Sequence, residues 1–555
     1  MSTLSDESRP MIDVGVDVGI GARETSSPSL GEASEAKERS TFWLLAATWI
    51  AAMTLFRFAA IAKLPLTNGE AYYASWSRFL DWSYYDHPPL VAWVVRLTTE
   101  LGGSTAAIHL GPVLCAAAFG FLFYRLAERL FGPRAALLSL LVITAMPVFL
   151  VSSFALNPEA PLAPLWVGYL LVLEGMRERD DAYRPLVAGA VLGLAFLAKY
   201  TAVLLVPTTF LYLALSAPSR RWLRRPSLYA GGLVALAIAA PVLYWNQVHG
   251  WPTLHLHLVE RNSVAAPVAG ENAINHMMED ASTSGTSGLK SLARLLVGQA
   301  LSYSPFFVPA LVVALGRMVR RARQDDRDLF LSSFSWPVML ILFAAMLRVK
   351  DAEQHWTMMA FVPATIALGH YADEAWSSAR RFSGLVAAGV VISLTAFGIG
   401  AVATHSDVVI RLLSPAHYDP RADLSNEMAG WDQIRASLAD VAHKNAGHGP
   451  VVLASNHYAM CGRLLMETDD APNVYCPTAR RSAFDFFERR DPPANATVIV
   501  LTNDIHRELP PGLEGRSCSL EDEVNVERAG QTVATYFVSA CPPVESSSER
   551  RASRD

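Results

Sequence analysis

Several separated segments carry side chains that can move a proton or hold an anion. Asn68-Gly69-Glu70-Ala71-Tyr72-Tyr73 and Tyr84-Tyr85-Asp86-His87-Pro88-Pro89 each set a carboxylate among tyrosines. Asn157-Pro158-Glu159-Ala160-Pro161 offers a third acid, and Lys199-Tyr200 a cation at the end of an apolar run. His249, His255, His257, Glu260 and Arg261 follow, then Arg348, Lys350, Asp351, Glu353, His355 and Trp356. Carboxylates and imidazoles suit general acid–base work. Lys and Arg suit recognition of an anionic group such as phosphate. Each element also has a plainer reading. Glu353 and Asp351 can be solvated loop acids, and Lys199 can snorkel to a membrane interface. Trp76, Trp82, Tyr84, Tyr85 and Trp93 can form an interfacial aromatic belt. His255 and His257, two apart, fit a surface pair better than metal ligands. Glu159 fits an exposed first-turn acid. Asp86 is harder to dismiss, because His-Pro-Pro stops one element there and starts another.

The elements that must position these residues are mostly apolar. Of 555 residues, 52% are hydrophobic and only 17% charged, and mean hydropathy is +0.25. Soluble domains sit near 25% charged, so a polytopic membrane protein is the class implied. A net charge of −5 without a basic, aromatic-interleaved patch disfavours nucleic acid as a partner. Residues 1–40 are polar and aperiodic and read as a disordered cytoplasmic tail. Apolar runs of roughly 20 residues, the length of a membrane-spanning helix, fall near 42–61, 105–124, 135–153, 158–175, 185–199, 201–216, 228–246, 292–316, 329–347, 356–372 and 383–403. That is about eleven spans within 41–403, and 88–101 reads as a helix lying at the interface. Residues 404–545 look like a small α/β domain, with strand-like Val451–Ala454, Thr497–Leu501 and Thr532–Val538 and helix-like Trp431–Lys444. Residues 546–555 are a polar tail.

Charge placement orients the chain. With the N-terminus inside, the short cytoplasmic loops hold seventeen arginines: Arg125, Arg129, Arg134, Arg177, Arg179, Arg184, Arg220, Arg221, Arg224, Arg225, Arg317, Arg320, Arg321, Arg323, Arg327, Arg380 and Arg381. The longer outward loops hold only eight cations, Lys63, Arg78, Arg96, Lys199, Arg261, Lys290, Arg348 and Lys350. The positive-inside rule then puts the C-terminal domain outside and gathers the reactive residues on one outer surface. Four of five cysteines fall in that outward domain, as expected where disulfides can form. None has C-x-x-C spacing, so zinc and thioredoxin readings have no support. At least one disulfide is expected, with Cys518 and Cys541 the favoured pair.

The ordered blocks Glu70-Ala71-Tyr72-Tyr73, Tyr85-Asp86-His87-Pro88-Pro89-Leu90-Val91-Ala92-Trp93, Asn157-Pro158-Glu159-Ala160-Pro161 and Lys199-Tyr200-Thr201-Ala202 resemble bacterial members of the dolichyl-phosphate-mannose–protein mannosyltransferase superfamily, glycosyltransferase family 39. Trp245-Asn246, His249-Gly250-Trp251 and His355-Trp356 extend the resemblance over about 42–372. It implies a GT-C-like membrane glycosyltransferase of the bacterial cytoplasmic (inner) membrane, related to the lipid A aminoarabinose transferases. The donor would be a polyprenyl-phosphate sugar, reached by the acceptor on the outer face. An acid of the first outward loop would serve as base or metal ligand. Where the family has Asp-Glu, this chain has Gly69-Glu70, so that role falls to Glu70 or Asp86, with Glu159 the third acid. Lys199, Arg261 and Arg348 are the candidate phosphate cations. Tyr73, Tyr85, His87, Asn157 and His355 are candidate substrate contacts. Asp86 and His257 are the candidate ligands should a divalent metal ion take part. The acceptor, whether protein, lipid or glycan, is not legible. Two other classes fit many spans: a lipid-linked sugar transporter or flippase, and a non-catalytic membrane protein. Transporters, however, usually place ionisable groups at the bilayer midplane and show repeated halves, and here such groups lie in outward loops.

Overall fold

The computed structural model describes residues 30–260 and 288–543, apart from 63, 103–104, 350–351, 379–383, 385–386, 396–397, 399–405, 413–417, 421–422, 469–473, 479–480, 488–491 and 514. Arg261, about half of the 383–403 stretch and the 546–555 tail lie outside the described residues.

The described residues up to about 378 are mostly helical. The first helix, Leu30–Ile61, takes in the last eleven residues of the expected 1–40 tail. Arg39 on this extension pairs with Glu128 at 2.8 Å, which ties it to the Thr105–Phe131 helix. Four described stretches are long and apolar enough to cross a membrane: Ser34–Ile61, Thr105–Phe131, Pro226–Val248 and Asp326–Met346. Others are shorter or broken. The run near 135–153 divides into Pro133–Ala145 and Pro147–Ser152, parted at Met146 before Pro147, as expected for a residue preceding proline. The run at 292–316 is likewise two helices, Gly288–Ser302 and Val308–Arg321. The chain turns between them, with Ser304 at φ 69°. Helix Leu90–Thr99 follows the Pro88-Pro89 stop as a separate short helix.

Small residues allow the closest helix approach. A Cβ on Gly189 would lie 1.9 Å from the Gly231 carbonyl oxygen, so helices Arg184–Ala198 and Pro226–Val248 meet backbone to backbone. This is the small-residue packing typical of membrane helices, where no hydrophobic drive separates protein from lipid. The helical core runs through Phe123, Trp166, Tyr212, Phe330, Phe334 and Ile366.

The C-terminal region carries a five-stranded mixed sheet: β1 Val451–Ala454, β2 Val474–Tyr475, β3 Thr497–Asn503, β4 Ser519–Arg528 and β5 Gln531–Cys541. The order is β2-β1-β3-β5-β4, with β1 parallel to β2 and β3, and β5 antiparallel to β3 and β4. β3 is buried on both faces. Ile499 and Leu501 pack under helix Trp431–Asn445, while Val498 and Val500 pack on the opposite side. The β4–β5 hairpin turns at Ala529 and Gly530, both at positive φ, the backbone that a two-residue hairpin loop requires. Cys518–Cys541 closes the start of β4 onto the end of β5, and a second disulfide joins Cys461 to Cys476. Cys115, in the helical part, is free.

The sheet region is docked on the segment that follows the first helix. Helix Tyr458–Glu467 lies across helix Asn68–Ser75, where a Cβ on Gly462 would sit 2.8 Å from Tyr72 Cα. Tyr72, Trp76, Tyr84, the Cys461–Cys476 bridge and Phe484 form one buried aromatic cluster there.

Candidate active site

Glu70 is built into the scaffold. Thr67 caps helix Asn68–Ser75 in a reciprocal capping box. Glu70 Oε2 accepts from the Thr67 N–H and hydroxyl, both at 2.9 Å. Its Oε1 accepts the Leu156 N–H at 2.9 Å and faces His109 Nδ1 at 3.3 Å. The carboxylate thus ties the segment after the first helix to the turn before Asn157. Burial alone would raise its pKa; His109 and the N–H groups of Thr67 and Leu156 outweigh burial and hold it below the ordinary value. A depressed folded-state pKa gives stability that is fully present above the unfolded value and lost as pH falls through the folded one. Glu70→Gln is therefore expected to lower thermal stability at neutral pH, by about 1–3 kcal/mol for donors left facing an amide. The gap to wild type should close on acidification below the ordinary carboxylate range. Melting curves at pH 7 and pH 3 check both parts.

Asp86 is differently placed. It is half-buried and accepts a 2.5 Å bond from the Tyr72 hydroxyl, which in turn accepts the Ala483 N–H at 2.8 Å. Burial, then the Asp86 charge, raise the Tyr72 phenol well above its usual range, so it stays a donor. The loop is held tightly: the Tyr84 N–H bonds the His87 carbonyl, and the Ser83 hydroxyl meets that of Tyr200.

Glu159 opens helix Glu159–Glu178, just after Asn157, whose side chain accepts the Ala160 N–H. Glu159 Oε1 pairs with the Lys199 ammonium and lies 3.0 Å from His355 Nε2. Glu353 approaches the same imidazole at 3.1 Å. Burial works against charge on His355, but Glu159 and Glu353 raise its pKa above the usual value. Lys199 and Glu159 are both buried, so Lys199 is an internal ion-pair partner here and not a solvated end charge.

One cavity of about 1030 Å³ collects these groups. Glu70, Asp86, Glu159, Lys199, Arg348 and His355 line it, with Tyr73, His87, Asn157 and His257. Val203, Leu204, Ile341, Leu342 and Ala345 add an apolar strip from two helices. The far wall belongs to the C-terminal region, through His457, Tyr458, Asn503, Asp504, His506 and Tyr536. Tyr85 is not among the lining residues; its hydroxyl donates to Glu260 at 2.6 Å and its ring stacks on Phe486. Among the described residues no three His, Cys, Asp or Glu side chains are grouped to hold a metal ion. His257 Nε2 lies 3.1 Å from the main-chain oxygen of Asp86, and no step below runs through a metal. Sequence reasoning missed His109, whose only signal is an imidazole in an apolar run, and the whole C-terminal wall.

A mostly helical scaffold with carboxylates, an ion-paired lysine and an apolar strip around one cavity defines the class. The chain is a multi-pass membrane protein similar to glycosyltransferases of the GT-C, dolichyl-phosphate-mannose–protein mannosyltransferase superfamily. The family model for dolichyl-phosphate-mannose-protein mannosyltransferase matches residues 86–245. Lipid A galacturonosyltransferase RgtD of Rhizobium johnstonii is 28% identical over 436 residues, spanning 72% of this chain and 85% of its own length. The fold is shared with ArnT of Cupriavidus metallidurans in the apo state, at 17% identity and TM-score 0.54 over 90% of this chain and 98% of that one. The ArnT structure bound to undecaprenyl phosphate matches at the same identity and TM-score, covering 89% and 98%.

Proposed function

We propose that the protein moves a sugar from a polyprenyl-phosphate donor to a hydroxyl of a lipid A-type acceptor at the outer face of the bacterial inner membrane. The observation that carries this reading is the single cavity in which Asp86, the cations Lys199 and Arg348, and an apolar strip meet. The polyprenyl chain lies along Val203, Leu204, Ile341 and Leu342, with its phosphate toward Lys199, Arg348 and His355. Glu159 holds Lys199 and His355 in place. Asp86 takes the proton of the acceptor hydroxyl as its oxygen attacks the sugar carbon. The bond from that carbon to the phosphate oxygen breaks, and the cations balance the charge left on the polyprenyl phosphate. Tyr72 orients Asp86, and Glu70, fully occupied by structural bonds, is a positioning residue. Arg261 stays a candidate second cation. Vesicles given radiolabelled polyprenyl-phosphate sugar and lipid A should yield labelled lipid A. Absence of any donor turnover would leave the transporter or non-catalytic readings.

The proposed topology has about eleven spans over 41–403, the N-terminus in the cytoplasm and the 404–545 domain outside. The Arg-rich loops at the end remote from the cavity support it, as do the two disulfides in the sheet region beside a free Cys115 in the helices. Reporter fusions ending at Ser219 and at Pro543 should report opposite sides; the same side for both would overturn the topology.

A further inference from the structure

The cations of the cavity lie on one wall. The helical wall carries Lys199 and Arg348 beside Glu70, Asp86, Glu159 and Glu353, whereas the described lining residues of the sheet region include no Lys or Arg. That wall presents His457, His506, Asn503 and Asp504, with Asp423 and Glu427 at its edge. His457 follows β1 and His506 follows β3, two parallel neighbours whose carboxyl ends open on the same side. Adjacent parallel strands characteristically form ligand crevices at those ends. The loops are built rather than slack. Asn503 Oδ1 accepts the N–H of Ile505 at 3.2 Å and of His506 at 2.7 Å. The Asn456 amide donates to the Glu508 carbonyl at 2.6 Å, joining the two loops. The imidazoles of His457 and His506 stack, with ring centres 4.3 Å apart and planes 11° from parallel. The next residue, Tyr458, packs 4.6 Å from the Tyr72 ring, whose hydroxyl holds Asp86. A continuous surface therefore runs from the strand ends to the proposed base.

We propose that this wall is the acceptor subsite and that it grips an uncharged, hydroxyl-bearing sugar ring of the acceptor headgroup. The inference rests on the glycosyltransferase reading above. Imidazole and amide groups both donate and accept, and the Asp504 carboxylate accepts, which matches vicinal hydroxyls. This wall offers a phosphate no Lys or Arg among its described lining residues, whereas Lys199 and Arg348 on the opposite wall can attract one. Donor phosphate and acceptor ring are thereby sorted to opposite sides, with the attacking hydroxyl presented between them at Asp86.

The test uses the full-length protein in nanodiscs with two probes, lipid A and undecaprenyl phosphate. The His457→Ala/His506→Ala variant should weaken lipid A binding about tenfold or more, the scale of one or two lost hydrogen bonds. Undecaprenyl phosphate binding should stay within about twofold of wild type, an unresolved difference on that scale. The His457→Gln/His506→Gln variant, which keeps polar atoms, should recover part of the loss. Unchanged lipid A binding in the Ala variant, or equal loss of both probes, overturns the subsite. A wild-type protein that binds undecaprenyl phosphate but not lipid A overturns the subsite and leaves the donor side standing. One that binds neither overturns both readings.

Discussion

Asp86→Asn is expected to reduce sugar transfer by roughly a hundredfold to ten-thousandfold, the range for loss of a well-placed general base. Asparagine keeps an oxygen able to accept the Tyr72 hydroxyl bond, so the loop and its contact with Ala483 should survive. The loss should appear in the rate and not in donor affinity, because Lys199 and Arg348 stand apart from this change. Transfer in vesicles and undecaprenyl phosphate binding, measured on the same preparation, separate the two. Glu70→Gln is the contrasting case. Its carboxylate already serves Thr67, Leu156 and His109, so its effect should track stability. Full activity in Asp86→Asn, with a lost rate at unchanged stability in Glu70→Gln, would reverse the assignment and make Glu70 the base.

Arg463→Ala is expected to loosen the sheet region from the helices by about 3–5 kcal/mol, the usual cost of removing one partner from a buried charged pair. The Arg463 side chain is fully buried. It donates to the Leu66 carbonyl at 2.7 Å and the Glu427 carbonyl at 3.3 Å, pairs with Glu467 at 3.0 Å and lies 4.1 Å over the Trp431 ring. Burial lowers its pKa to about 10, with Glu467 opposing, so it stays charged at neutral pH. Truncation leaves the Leu66 carbonyl and Glu467 without this donor at the seam between the regions. Limited proteolysis of the C-terminal region should accelerate and transfer should fall, since that region supplies one wall of the cavity. Arg463→Lys should fall between, keeping the charge and losing the planar fork. A shift under about 1 kcal/mol, the scale of an exposed pair, would mean that the seam is held elsewhere.

Much of this protein is determined locally and could be read from its residues. Length and apolarity mark the four described helices able to cross a membrane, and β1, β3, β5 and helix Trp431–Asn445 follow from alternation and periodicity. The Tyr-Asp-His-Pro-Pro block and Lys199 marked one surface because positional order along spans already constrains which ends meet. Strand β4 escaped, since Glu521, Asp522 and Glu523 face solvent at a sheet edge and only Val524 and Val526 point inward. The different bonding of Glu70 and Asp86 was equally hidden. Both are carboxylates beside tyrosines in one segment, and only the fold brings His109 and the Leu156 N–H onto Glu70 and the Tyr72 hydroxyl onto Asp86. The pairing of Lys199 with Glu159 and His355 joins three distant segments, so no spacing in the chain encodes it. The cavity's second wall arises because Gly462 lets one helix press against the backbone of Tyr72, and that contact exists only once both regions have folded.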